Sequence, residues 1–393
     1  MHALPVNGCP NVRRLVIEAA AEVEGLVPAW RDFAAAVGSP FNGPDWLMPW
    51  WRHCATGRPH LVTWWVGEEL VGLAPVVHRV ARRRGVVVRE AAFWGATGTP
   101  LDGWVGVLAL PAVADMVARD FGDWLARDAP AWDVFHYLRI PAGAPTAGWL
   151  EGRTGLRRLA LTGVLQSEEY IVDLPTAGTE WQGYLGPRAR HEMRRAARRF
   201  AEMHRGRYEI VSDPAEADGL VDALRHFLAD RWGEDEVYFR SGDRFARFLT
   251  DVIRTSFASG SGFAVAARVE PPATVGCLFV LSAGREAAAV IVGTSVDPAL
   301  QQLSVGKALF HRAMDELVGR GVGTLDFLTL GGYKETFWGA RSRTLQSGIL
   351  GRGTVGVSVL AYVALRRHGP RVLRRAVRAL GHRGDAAAPR HRG

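Results

Sequence analysis

The sequence predicts a mixed α+β fold with largely antiparallel sheets flanked by helices. Three observations lead there. Ala287–Ala340 runs as strand, polar turn, helix, strand and then a compact Gly-Gly-Tyr-Lys segment. Two apolar stretches, 61–77 and 263–280, have the turn residues and β-branched content of antiparallel hairpins. A chain of 393 residues with 48% hydrophobic and 22% charged content can bury a large core, and its length suggests about two domains.

In chain order, Leu61–Val66 and Leu70–Val77 flank a Gly-Glu-Glu turn and form the first hairpin. Ala142–Gly148 is a loop of small residues and proline, and Leu174–Thr179 interrupts the periodicity as a linker. An arginine-rich helix follows, with Met193, Ala197 and Phe200 on its apolar side and Arg190, Arg194 and Arg198 at four-residue spacing. That face has two readings: a solvated surface, or a clamp for phosphate, whose oxygens suit guanidinium forks. Pro214–Trp232 reads as a helix with Ala217, Val221, Leu224 and Leu228 on one face, ending on Arg231 and Trp232. The second hairpin pairs Phe263–Arg268 with Val275–Val280 across a Glu-Pro-Pro turn. Both second strands open with Val-Gly, Val71-Gly72 and Val275-Gly276.

The segment from Ala287 carries the chemistry. Leu309, Ala313 and Leu317, with Phe310 and Met314, make one helical stripe, which Gly319 and Gly321 stop. At its start, Gln301–Lys307 places Gly306 where a missing side chain lets an anion approach free backbone amides, with Lys307 beside it. A Walker A loop is excluded, since Gln301 and Ala308 stand where it needs glycine and Ser or Thr, and no GxGxxG follows a strand.

Gln301, Ser304 and Gly306 resemble the acyl-CoA pyrophosphate loop of the GNAT acyltransferases, with Ser304 replacing the first glycine of that pattern. Phe41-Asn42-Gly43-Pro44-Asp45-Trp46-Leu47, Trp50-Trp51, Leu70–Pro75, Gly98 with Asp102, Trp181, Arg231-Trp232, Asp297-Pro298, Ser304–Gly306, Asp326, Tyr333-Lys334 and Trp338-Gly339 occur in an order that resembles acetyltransferases of the CelD type, associated with cellulose biosynthesis. This likeness spans residues 39–345 and extends distantly to the Fem aminoacyltransferases. It implies tandem GNAT-like domains at 35–170 and 175–350, with an N-terminal extension at 1–34 and a basic C-terminal helix and tail at 351–393. Only the second domain has the cofactor loop.

The resemblance further implies that acetyl-CoA or another acyl-CoA is the co-substrate. Gln301, Ser304, Val305, Gly306 and Lys307 would hold it, and the sheet edge at Gly293 and Thr294 would offer N–H donors to the thioester carbonyl. The acyl group would pass directly to an amine or hydroxyl of a small-molecule or glycan acceptor, which calls for an acid and a base but no protein nucleophile. Asp102, Asp326 and Tyr333 are the candidates for catalytic or orienting work, and Lys334 for an anion contact. Each has a structural alternative: a turn at Asp102, a strand end at Asp326, a packed ring at Tyr333. Arg190, Arg194, Arg231 and Trp232 are candidates for substrate binding. Two other classes stay open: an aminoacyl-tRNA dependent transferase of the Fem kind, with the arginine-rich helix on tRNA, and a non-catalytic subunit of an envelope-polymer assembly.

Cys9, Cys54 and Cys277 are far apart and odd in number, and His53, His60, His78 and His136 have no ligand spacing, so neither a disulfide framework nor a metal site is expected. The cysteines suit a reducing cytoplasm, and no signal peptide or membrane-spanning run is read. The net charge of +8 points to an anionic partner. Near the end, Val372, Leu373, Ala376, Val377 and Leu380 form a helical stripe opposite Arg371, Arg374, Arg375 and Arg378, a pattern that fits either an anionic membrane surface or packing on its own domain.

Overall fold

The structure is a computed structural model that describes residues 12–83, 85–95, 103–142, 144, 146, 157–160, 168–175, 186–233, 243–328 and 337–365. Asp102, Tyr333, Lys334 and the arginine stripe beyond residue 365 lie outside them. Fourteen described strands join into one sheet. They are β1 (Val12–Ile17), β2 (Arg58–Val66), β3 (Glu69–Arg83), β4 (Val86–Phe93), β5 (Leu108–Ala109), β6 (Val134–Pro141), β7 (Arg157–Ala160), β8 (Glu168–Asp173), β9 (Arg207–Val211), β10 (Gly262–Val269), β11 (Ala273–Ala283), β12 (Glu286–Thr294), β13 (Thr324–Asp326) and β14 (Arg341–Gly351). The helices are α1 (Ala20–Val37), α2 (Pro44–Cys54), α3 (Ala114–Arg127), α4 (Pro187–His204), α5 (Ala217–Trp232), α6 (Asp243–Ser259), α7 (Pro298–Gln301), α8 (Val305–Gly319) and α9 (353–365).

The strand order is β1-β2-β3-β4-β6-β14-β8-β13-β12-β11-β10-β9, with β5 on β3 and β7 on β14. Within it the same unit occurs twice. β2, β3 and β4 run antiparallel, α3 crosses over, and β6 returns parallel to β4. β10, β11 and β12 do the same, α8 crosses over, and β13 returns parallel to β12. The two Val-Gly pairs have one physical cause. A Cβ on Gly72 would lie 3.0 Å from Val117 of α3, and one on Gly276 would lie 3.1 Å from Val305 of α8. Each glycine lets the crossover helix settle close onto the second strand of its hairpin.

The halves are fused. β14 pairs with β6 on one flank and with β7 and β8 on the other, and β8 in turn pairs with β13. β1 extends the first half beside β2, and α1 buries Val23, Trp30 and Phe33. α2 and α6 meet across the halves, with the rings of Trp46 and Phe248 5.1 Å apart and near-perpendicular. Arg244 of α6 donates to the carbonyls of His53 and Cys54 at the end of α2, at 2.7 and 2.5 Å. In the first half, the end of β4 is packed with aromatic rings. Trp94 is fully buried against Trp30, Trp50 and Trp51, with centroids 4.9–6.2 Å away. Cys54 and Cys277 are buried free thiols, and burial pushes the Cys277 thiol up to about 12, so both are packing groups.

Candidate functional site

In the second half the corresponding place is open. β12 and β13 pair only where Glu286–Ala288 meet Thr324–Asp326. Beyond Ala288 no described residue pairs with this side of β12, and alternate backbone groups of 289–294 face away from β11. The resulting groove has a volume of about 620 Å³, within the range of small-molecule sites. Its walls are β12 from Ala289 to Thr294, the end of α5 at Phe227, Leu228, Arg231 and Trp232, and the start of α8 at Ser304, Val305, Gly306 and Lys307, with Gln301 beside it.

The start of α8 leaves backbone donors beside the groove. Ser304 adopts the left-handed conformation, φ 52° and ψ 40°, which turns the chain sharply into the helix. Its carbonyl accepts from the amides of Lys307 and Ala308 at 2.9 and 3.2 Å, while the amides of Val305 and Gly306 have no acceptor among the described residues. Those two N–H groups and the helix dipole converge at the groove. A Cβ on Gly306 would be 3.7 Å from Thr294 Cγ2 and otherwise in open space. The open side of Gly306 belongs to the groove. The ammonium of Lys307 sits 4.3 Å over the ring of Phe337 at the groove edge.

Ser304 is the departure from the glycine pattern, and its conformation explains the preference: left-handed backbone costs an L-residue about 1–2 kcal/mol relative to glycine. The Ser304 side chain makes no capping hydrogen bond that would offset this. Replacing Ser304 by glycine is expected to stabilise the fold by about 1 kcal/mol, less the added chain entropy of glycine. Denaturant midpoints of the two proteins measure it.

Gly293 and Thr294 line the groove, though for different reasons. A Cβ on Gly293 would meet Phe227 at 3.1 Å and Leu224 at 3.3 Å, so this glycine admits α5 against β12. Thr294 accepts a 3.1 Å hydrogen bond on its Oγ1 from Arg231, and Trp232, 68% exposed, stands at the rim. Arg231 and Trp232 are thus brought to the groove. Arg190 and Arg194 are not. They line a separate depression of about 260 Å³ on the other flank of α8, with Met193, Tyr208, His311 and Arg312.

Asp326 also lies apart from the groove lining, which takes its neighbour Phe327 instead. Successive strand residues face opposite sides, and Asp326 turns toward a buried cluster at the junction of the two halves. Arg343 donates to Asp326 at 2.7 Å and to Glu169 at 2.6 Å, and Arg139 donates to Glu169 at 3.3 Å. Asp326 also accepts from the Leu328 amide at 2.8 Å, while Arg139 reaches the Leu328 carbonyl at 3.3 Å. Leu328 has a left-handed backbone, φ 55°, so the cluster holds the turn by which the chain leaves β13. Glu169, Arg139 and Arg343 escaped the sequence reading. Their signal is a charged residue at a buried position of an otherwise apolar strand, as in Glu169 before Tyr170-Ile171-Val172.

Burial, and then the neighbouring Glu169, push the Asp326 carboxyl up to about 8, against the pull of Arg343. The folded protein therefore holds this proton more tightly than the unfolded chain. The stabilisation is complete below the ordinary aspartate range near pH 4 and is lost as pH rises toward 8. In Asp326→Asn this part of the pH dependence should disappear, so that unfolding free energies between pH 5 and 8 follow a flatter line than those of the parent.

Residues 187–337 match the family model of the acetyltransferase (GNAT) domain. Over this stretch the chain is similar to a GNAT acetyltransferase domain. Its boundaries enclose α4, the groove, the start of α8 and the Asp326 strand. No curated protein matches the chain significantly. Among solved structures, FemX is 10% identical over 85% of this chain and 96% of its own, with a TM-score of 0.56, which shows a common fold. The C-terminal domain of a putative lysylphosphatidylglycerol synthetase from Agrobacterium fabrum is 14% identical over 87% and 97%, with a TM-score of 0.49. A tandem GNAT protein from the clavulanic acid biosynthesis pathway is 11% identical over 86% and 98%, with a TM-score of 0.40.

Proposed function

We propose that the protein transfers an acyl group from acetyl-CoA or another acyl-CoA to an amine or hydroxyl of a polar acceptor, a glycan, polysaccharide precursor or small metabolite, as the CelD-type resemblance implies. The groove beyond the pairing of β12 with β13, ending on the free amides of Val305 and Gly306, is the observation that carries this reading. The thioester supplies an activated carbonyl. Ser304, Val305, Gly306 and Lys307 bind the diphosphate, and Gln301 borders it. The unpaired edge of β12 near Gly293 and Thr294 offers N–H groups to the oxygen that gains charge during attack. Arg231, fixed by Thr294, and the exposed ring of Trp232 meet the substrate at the groove mouth. Asp326 orients the chain beyond β13 through the Leu328 amide, leaving proton transfer to Asp102 and Tyr333 and an anion contact to Lys334. A cytoplasmic setting, where acyl-CoA is formed, suits the reaction.

A second reading has aminoacyl-tRNA as donor. In its favour, Arg194 and Arg312 line the α4–α8 depression and have no acidic partner among the described residues. Titration of the purified protein with acetyl-CoA, longer acyl-CoAs and charged tRNA separates the readings. Saturable binding of an acyl-CoA, competed by free CoA, is the expected result. Binding of tRNA alone would replace the donor, and binding of none would leave a non-catalytic subunit.

A further inference from the structure

Helix α9 differs from an ordinary surface helix. Its inner face packs Leu360, with Val355, Val359 and Val363, on Val88, Val134 and Ile349. The face turned to solvent should then be charged. Instead, residues 353–365 read GTVGVSVLAYVAL, without one ionisable group other than the Tyr362 phenol, and Val357, Tyr362 and Leu365 are 44%, 36% and 58% exposed.

A second exposed apolar element lies at the same edge. Glu90 of β4 pairs with Val134, as does Gly351 at the end of β14, so these positions mark one end of the central strands. β4 begins four residues earlier, at Val86. The β3–β4 hairpin therefore projects beyond the edge by roughly 13 Å. Its Val80, Val86 and Val87 are 71%, 52% and 49% exposed. Val86 is two residues from Val88, which α9 covers, and so shares its side of the strand. Six of the eleven large apolar side chains exposed among the described residues belong to α9 and this hairpin, Val86 on the α9 side of the strand and Val80 and Val87 on the opposite side.

The acidic groups at this edge, Glu90 and Asp133, are buried and paired with Arg79 and Arg89, and the other charges nearby are basic. The hairpin carries Arg82-Arg83-Arg84, and α9 is bracketed by Arg352 and Arg366. Residues 366–393 contain nine arginines and a single acidic residue, Asp385, so this segment alone equals the formal charge of +8, and the remaining 365 residues balance to zero. An apolar, uncharged surface joined to a concentrated positive charge complements an interface that is apolar within and anionic at its surface. No described helix is long and apolar enough to cross a membrane, which leaves a surface contact.

We infer that the α9 face and the β3–β4 hairpin dock the protein on a bilayer containing anionic lipid, to which the arginine content of 366–393 adds electrostatic attraction. Apolar insertion and attraction to anionic headgroups then act together, and both are needed for stable attachment. The contact is independent of the acyl-transfer groove.

Co-sedimentation of the full chain with vesicles tests it. Vesicles of phosphatidylcholine containing roughly 30% phosphatidylglycerol should bind the protein, and vesicles of phosphatidylcholine alone should bind it at least tenfold less. The double substitution Val357→Asp, Leu365→Asp changes two exposed positions and should leave the melting temperature in place while lowering vesicle affinity at least tenfold. Arg374→Gln with Arg375→Gln should weaken binding and reduce its salt dependence. Equal binding to both vesicle types, or full binding by the aspartate variant, would overturn the inference. So would self-association without lipid that the aspartate variant abolishes, since the corner would then be an interface between two copies of this chain.

Discussion

Replacing Gly306 by glutamate is expected to lower the affinity for acetyl-CoA at least 100-fold while leaving the fold as stable or more so. Gly306 is the second residue of α8, and the space beside its Cα opens toward Thr294 and the groove rather than into packed atoms. A glutamate there is a better helix residue than glycine, by about 0.5–1 kcal/mol, and its charge suits a helix N-terminus. The same charge occupies the free amides of Val305 and Gly306 and repels a diphosphate. Two hydrogen bonds to a charged group are worth about 1.5–3 kcal/mol each, which is where the factor of at least 100 comes from. Calorimetric titration and thermal unfolding of the same preparation read both halves of the prediction. A variant that binds acetyl-CoA like the parent would remove the anion site from the proposed reaction.

Arg343→Met is expected to be the most damaging single change in the described strands, costing about 3–5 kcal/mol. Arg343 lies between Asp326 and Glu169, and Glu169, fully buried, would be left with Arg139 as its one cationic partner among the described residues. Removing one partner of a buried ion pair costs far more than the pair contributes, because the remaining charge has no water to turn to. Glu169→Gln in the Arg343→Met background should recover part of the loss. A double-mutant cycle in urea should give a coupling of about 1–3 kcal/mol, and strictly additive effects would show that the cluster does not act as a unit.

Much of the second half could be read from the sequence because its signals are local. The helical stripe at Leu309, Ala313 and Leu317 is buried as its spacing requires, and the strands and turns around it follow from residues close in the chain. The two Val-Gly hairpins were legible for the same reason, although their cause, a helix lying on each glycine, needs the packed structure. Arg190 and Arg194 were harder, since four-residue spacing says that side chains share a helix face but not which flank of α8 that face meets. The sequence marks Gly293 as part of a sheet edge with N–H groups to offer, while the room its missing side chain makes for Phe227 needs the packed structure. The Glu169–Arg343 cluster is assembled from four strands, and no local pattern announces a contact whose members are 174 residues apart.

β14 carries a consequence for how the polypeptide is made. The ribosome releases β6 long before it reaches residue 341, yet β6 obtains its neighbour on that side only from residues 345–351. Until then the early half presents an unfinished edge, the kind of surface that invites mispairing with another chain. The aromatic packing around Trp94 can form early, but the sheet closes only once residues 345–351 have been made, so the early half waits on the later one to become whole.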